Sequence, residues 1–244
     1  MRKKIVAIII AICTLLTLNS AVLADVALDL FEYKPTEEEL ANYDRMWQYA
    51  DDETRYYMPT RVKARAVGLS TKEFKFFARV VEAEGAFCED DITDKVLVAC
   101  VVINRTNCNK FPTSTITRTL QRKNQFATVD PKTHNCTRSR TLDSEWAIVE
   151  AYRLINNHYI DCHMVFFNSI GFGGTSSGYT RYVDNSYCNG NYFMCINCNC
   201  EHCQAYCEVY DPEWSISTVE MISPRYERPI GHIDASQIVY LGSR

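Results

Sequence analysis

Apolar residues between positions 70 and 85 recur at helical spacing. Counting back from Glu84 in steps of three and four reaches Val81, Val80, Phe77 and Glu73. Glu84 is therefore expected on the stripe that faces a core. Glu82 is expected on the other side, with Arg79 and Lys75, on a face that reads as solvated. Ser70-Thr71-Lys72-Glu73 has the form of a capping box ahead of the run, and Gly85 suits a helix C-terminus. The pattern thus predicts a helix that ends on a carboxylic acid set against apolar side chains, beside the negative end of the helix dipole. Both surroundings disfavour ionisation, which is the property a general acid needs.

The other periodic stretches fill in a coarse map. Residues 36–50 read as a helix with Glu37, Glu38 and Glu39 in its first turn. Tyr56-Tyr57-Met58-Pro59 breaks that pattern. Residues 91–107 are apolar on every side from Val96 to Ile103, which periodicity alone would allow in a buried strand. Asp91, Asp94 and the length favour a central buried helix. Asn104 and Arg105 follow at its end, where polar side chains serve the fold by hydrogen bonding more readily than they touch a ligand. Shorter helices are expected over 114–121 and 143–156, the second with Trp146, Val149, Ala151 and Ile155 as apolar positions. Residues 163–168 look like a strand, and 171–178 form a glycine-rich loop without the spacing or lysine of a phosphate-binding loop. Residues 179–194 read as a hairpin turning near Asn189-Gly190-Asn191. Helices first and strands afterwards predict an α+β domain, with a small β-hairpin region closing it.

The N-terminus changes the compartment. Arg2, Lys3 and Lys4 precede an apolar run from Ile5 to Leu18, and Ala21-Val22-Leu23-Ala24 leads to Asp25. The run is shorter than the roughly 20 apolar residues that span a bilayer. Residues 1–24 are expected to be a signal peptide cut after Ala24, giving a secreted protein with no stable membrane insertion. Residues 25–69 would be an N-terminal helical extension, 70–194 the main domain and 195–244 a cysteine-rich tail. The formal charge is −4. Without Arg2, Lys3 and Lys4 it is −7, from 23 basic and 30 acidic residues, which argues against a nucleic-acid partner.

Several short motifs follow one another in order. They are Ala78-Arg79-Val80-Val81-Glu82-Ala83-Glu84, Val101-Val102-Ile103-Asn104-Arg105, Phe111-Pro112, Gln125-Phe126, Val165-Phe166-Phe167-Asn168 and Gly190-Asn191-Tyr192-Phe193. Together they resemble the cell-wall hydrolase family of the spore cortex-lytic enzymes, the SleB-like catalytic domain. The resemblance implies an α+β fold related to lysozymes and lytic transglycosylases. It also implies cleavage of peptidoglycan glycan strands between N-acetylmuramic acid and N-acetylglucosamine. The family's catalytic glutamate sits at the end of the first helix, which places it at Glu84. Gln125, Phe126, Phe167 and Asn168 would line the glycan groove, and Tyr179 and Tyr182 are further possible sugar platforms.

A hydrolase of ordinary type needs a second carboxylate about 5–10 Å away. Only the acidic stretch Glu89, Asp90 and Asp91 offers one nearby, and capping is its ordinary role. A lytic transglycosylase needs one glutamate, so that chemistry is expected. The sequence departs from the family where Gly85-Ala86-Phe87-Cys88 follows the glutamate, and where Tyr192 stands in place of a histidine after Gly190-Asn191. A non-catalytic wall-binding or structural protein is the alternative. A zinc peptidase is disfavoured, because His158 and His163 do not form the H-E-x-x-H arrangement.

Of twelve cysteines, Cys13 lies in the leader and eleven follow it. Cys195, Cys198, Cys200, Cys203 and Cys207 crowd the tail as two C-x-x-C pairs, 195/198 and 200/203. A single residue separates the pairs, where a two-knuckle zinc site has a long loop. Export therefore favours disulfides, shared with Cys88, Cys108, Cys136, Cys162 or Cys188, and zinc remains the other option. Cys100, inside the apolar helix, is the expected free thiol. The catalytic scheme itself needs no metal or cofactor.

Overall fold

The computed structural model describes residues 33–85, 91–160, 162–169, 179–184, 190–196 and 198–209, with the backbone alone at 179–184 and 207–209. The leader with Cys13, Glu89 and Asp90, the glycine-rich loop 171–178, Cys88, Cys188 and Asn189 lie outside the described residues. So do residues 210–244 and the side chains of Tyr179, Tyr182 and Cys207.

Helix α1 (Glu37–Tyr49) begins where Thr36 caps it, and here both halves of a capping box with Glu39 form. Two short helices follow, α2 (Asp52–Tyr57) and α3 (Thr60–Ala66), separated at Met58-Pro59. Proline at that point lacks the N–H a continuous helix would need. Helix α4 (Thr71–Glu84) is capped by Ser70, whose Oγ accepts from the Glu73 N–H at 3.2 Å. The second half of the expected capping box does not form. The Glu73 carboxylate instead accepts from the Thr117 N–H and hydroxyl, at 2.8 and 2.9 Å. It thereby tethers the start of α6 (Ile116–Leu120) to α4.

Helix α5 (Thr93–Asn107) is the centre of the molecule, and every residue from Thr93 to Arg105 is buried. It packs against α7 (Leu142–Asn156) and against strand β1 (Met164–Asn168). Complete burial explains its all-round apolar middle, and the length settles it as helix rather than strand. Helix α4 packs on α6, α7 and α5. Strand β3 (Tyr192–Ile196) lies between β1 and β2 (Tyr179–Asp184), antiparallel to both, in a three-stranded sheet of order β1-β3-β2. The expected hairpin is thus β2 with β3, and β1 extends it. The architecture is α+β. Among the described residues, no helix is long and apolar enough to cross a membrane.

Polar residues at both ends of α5 bind its neighbours. At the far end, Asn104 donates to the Met164 carbonyl at 3.0 Å and Arg105 to the Val165 carbonyl at 2.5 Å. The β1–β3 register shifts between Met164 and Phe166, so side chains from α5 satisfy the carbonyls at that irregularity. Helix α8 (Glu201–Val209) ends the described chain and was not anticipated from the cysteine-rich sequence.

Candidate active site

Glu84 is the last residue of α4, and its side chain is half-buried. Its Oε1 accepts from the Thr128 hydroxyl at 2.7 Å and from the Thr128 N–H at 3.0 Å. Among the described residues, Oε2 has no hydrogen-bond donor. The Glu84 carbonyl accepts from Asn191 Nδ2 at 3.0 Å, just before β3. Asn191 is itself held by Asp94, which accepts from its N–H at 2.6 Å and its side chain at 2.7 Å. The helix end is therefore pinned from two directions, by the loop carrying Thr128 and by the sheet.

The environment expected for Glu82 is overturned. Glu82 is 9% exposed, more deeply buried than Glu84, and does not lie on a solvated face. The count that placed it with Arg79 and Lys75 passed over the i−4 steps to Ala78 and Phe74, both fully buried. Small Ala78 lies on the stripe that carries Glu82 into the core. Lys95 of α5 meets the carboxylate at 2.9 Å, and the Thr141 hydroxyl donates to the same oxygen at 2.6 Å. Glu82 is thus a neutralised structural carboxylate, while Glu84 has an open oxygen. Accessibility rather than depth of burial distinguishes the two.

Gly85 is required by this packing. Its φ is −79°, which any residue adopts. A Cβ there would lie 2.7 Å from Lys95 Cγ and 2.9 Å from the Val81 carbonyl oxygen. Glycine therefore lets α4 and α5 approach closely enough to form the Glu82–Lys95 pair.

The loop with Thr128 also carries Gln125, which is half-buried, and Phe126, which is buried. The Phe126 ring lies 6.2 Å from that of Phe167 on β1, and Phe167 lies 6.0 Å from Phe193 on β3. Phe167 and its neighbour Asn168 are partly exposed at the end of β1. Thr128 joins Glu84 to one end of this loop, and Phe126 joins Phe167 to the other. Glu84, Gln125, Phe126, Phe167 and Asn168 therefore share one region of the fold.

Beneath them Arg105 is buried among rings. Its guanidinium carbon lies 5.2 Å from the centres of Phe126 and Phe166 and 5.6 Å from that of Phe111. Burial and the neighbouring Arg122 push its pKa down to about 10, while Glu84 pushes the other way. It stays charged at neutral pH, as a fixed cation near Glu84. Of the acidic stretch after Glu84, Asp91 is described, and its carboxylate accepts from the Thr93 N–H at 2.7 Å at the start of α5.

Thr128, Lys95 and Asn191 were missed in the sequence. Thr128 had a local signal, because it follows Phe126 by two positions and carries a hydroxyl. Lys95 and Asn191 had none, since their roles depend on which helix lies beside which.

A second group of chemically capable side chains lies at the other end of β1. The sulfurs of Cys108, Cys198, Cys200 and Cys203 all lie within 4.8 Å of one another. Cys108 and Cys198 are 3.4 Å apart, well beyond the roughly 2.05 Å of a disulfide. Burial pushes the Cys108 thiol up to about 11 and the Cys203 thiol up as well. Burial also acts upward on Cys200, but backbone N–H donors from Asn109 and Cys203 outweigh it and lower that thiol to about 6. Of the two C-x-x-C spacings, 200/203 joins the group whole, while from 195/198 only Cys198 does, and Cys108 from the end of α5 is the fourth member. Cys100 is fully buried in α5 with its thiol pushed up by burial.

A scan against protein-family models gives no match, and searches of curated proteins and of solved structures give none either.

Proposed function

We propose that this protein is a secreted enzyme that cleaves the glycan strands of peptidoglycan, with a lysozyme-related fold and Glu84 as its acid and base. The observation that carries the reading is the Glu84 carboxyl group. Thr128 holds one of its oxygens and leaves the other open, beside a loop and strand that present Gln125, Phe126, Phe167 and Asn168. An amide and a partly exposed ring, that of Phe167 with buried Phe126 packed behind it, suit a groove for sugars.

Protonated Glu84 donates from Oε2 to the glycosidic oxygen, and the bond from that oxygen to C1 of N-acetylmuramic acid breaks. Positive charge develops on the muramic ring as an oxocarbenium-like transition state. The C6 hydroxyl of the same sugar then attacks C1, and its proton returns to Glu84. The products are a free 4-hydroxyl on N-acetylglucosamine and a 1,6-anhydro end, with the enzyme restored. Two neighbouring carboxylates favour this single-acid route over hydrolysis. Glu82 is committed to Lys95 and Thr141, and Asp94 to Asn191, so neither is placed to activate a water.

The test is purified protein on peptidoglycan with mass analysis of the products. Fragments one water lighter than hydrolysis products are expected. Glu84→Gln should lower the cleavage rate by roughly 100- to 10,000-fold while leaving peptidoglycan binding intact. Full activity in that variant overturns the assignment. Binding without cleavage by the unaltered protein supports a wall-binding role instead.

A further inference from the structure

We propose that Cys108, Cys198, Cys200 and Cys203 bind one zinc ion as a tetrathiolate, fastening α8 and the end of β3 to the end of α5. The proposal is independent of the glycan chemistry and rests on where four sulfurs meet. They come from three places in the chain. Cys108 caps the C-terminus of α5, where its N–H donates to the Asn104 carbonyl at 2.9 Å. Cys198 lies just beyond β3. Cys200 and Cys203 are a C-x-x-C pair across the first turn of α8.

Mutual separations within 4.8 Å suit a single ion. A tetrahedral zinc with bonds of about 2.3 Å places its sulfurs roughly 3.8 Å apart. The Cys108–Cys198 separation of 3.4 Å is near that edge. Three of the four residues are buried, and Cys200 is partly exposed. The closed sulfur shell is that of a structural site rather than one with an open catalytic position.

The surroundings orient the ligands. Cys200 Sγ receives the backbone N–H groups of Asn109 and Cys203. The first belongs to the turn carrying Cys108 and the second to Cys200's own C-x-x-C turn, so Cys200 is held by both segments of the site. His163 contributes from outside the shell. Its Nε2 lies 2.9 Å from the Cys198 carbonyl, to which it donates, and its Nδ1 faces Cys162 Sγ at 3.8 Å. The nearby set Cys162, His163 and Cys203 offers only three ligands and shares Cys203. Four thiols binding one zinc ion release four protons and leave a complex of charge −2. No oxidant or reductant is consumed.

The same sulfurs could instead be oxidised to two disulfides, and the test separates these outcomes. The purified protein, prepared without oxidant, should contain one zinc per chain by elemental analysis. Cobalt(II) exchanged into it should show the intense sulfur-to-metal and ligand-field bands of a tetrahedral tetrathiolate. Cys198→Ser and Cys203→Ser should each lose the metal, while Cys100→Ser, in α5 outside the cluster, should retain it. The cobalt spectrum of the unaltered protein keeps the proposal testable even if the cysteine variants do not fold. Metal-free protein, or mass mapping that finds these four residues in disulfides, overturns it. So does a cobalt spectrum of oxygen and nitrogen ligation.

Discussion

In the proposed reaction, Thr128 decides which oxygen of Glu84 meets the sugar. Its hydroxyl and its N–H both donate to Oε1, which leaves Oε2 as the oxygen open to exchange a proton. A hydrogen bond of this kind contributes about 0.5–1.5 kcal/mol net, and here it is made by a side chain that is not itself an acid. Thr128→Val keeps the shape and removes the hydroxyl. It should lower kcat by up to roughly tenfold with KM nearly unchanged, because Thr128 positions the acid without holding the sugar. Thr128→Ser should restore most of the rate. Initial rates of peptidoglycan cleavage for the three proteins measure this. Equal losses in the Val and Ser variants would mean that the hydroxyl plays no positioning part.

At the scale of elements, Gly85 shows how one missing side chain sets a helix separation. A methyl group at this position would strike Lys95 Cγ and the Val81 carbonyl, and the carbonyl cannot move without disturbing α4. Gly85→Ala should destabilise the fold by about 1–3 kcal/mol, as overpacking does. It should also weaken the Glu82–Lys95 pair. Urea unfolding midpoints give the comparison, and a variant as stable as the original would show that α5 can yield.

Much of this layer was legible in the sequence. Thr36 and Ser70 announced their helices, and the all-round apolar run of α5 announced its burial, because caps and periodicity are local signals. The place of Glu84 as the last residue of α4 was legible for the same reason, whereas the sequence set it against apolar side chains and the structure gives it the Thr128 donors instead. The surroundings of Glu82 were not legible, because they follow from α5 lying alongside α4. Helix α8 was hidden as well, since cysteines directed attention to bridging chemistry rather than to the spacing of Cys203 and Tyr206, both buried.

At the scale of the molecule, α2 and α3 are bound to α7 by polar contacts. Glu145 of α7 accepts from Lys63 at 2.9 Å, Thr60 at 2.8 Å and Arg140 at 2.9 Å, and Lys63 is completely buried. Tyr56 donates to Asp143 at 2.6 Å nearby. Burial alone would raise the pKa of the Glu145 carboxyl, but Lys63 and Arg140 outweigh it and hold it below the usual carboxylate range. Its folded pKa is thus below its unfolded one. Its contribution is fully present above about pH 4.3, the unfolded value, and is lost as pH falls through the folded value. Urea midpoints should therefore fall with acidification below about pH 4. Glu145→Gln should cost about 3–5 kcal/mol at neutral pH by leaving Lys63 and Arg140 uncompensated. The same variant should show a shallower acid dependence, and an unchanged acid slope would assign the effect to other carboxylates.

The cysteine cluster also has a consequence in time. Cys108 and Cys198 are 90 residues apart in sequence, with most of the fold between them. A ribosome adding about 5–20 residues per second delivers the partners roughly 5–20 s after Cys108. Through that interval Cys108 is a thiol without its later neighbours, and whichever reagent reaches it first competes with them. Chain growth thus makes the assembly of this corner a race, which slower synthesis prolongs and faster docking of β3 shortens.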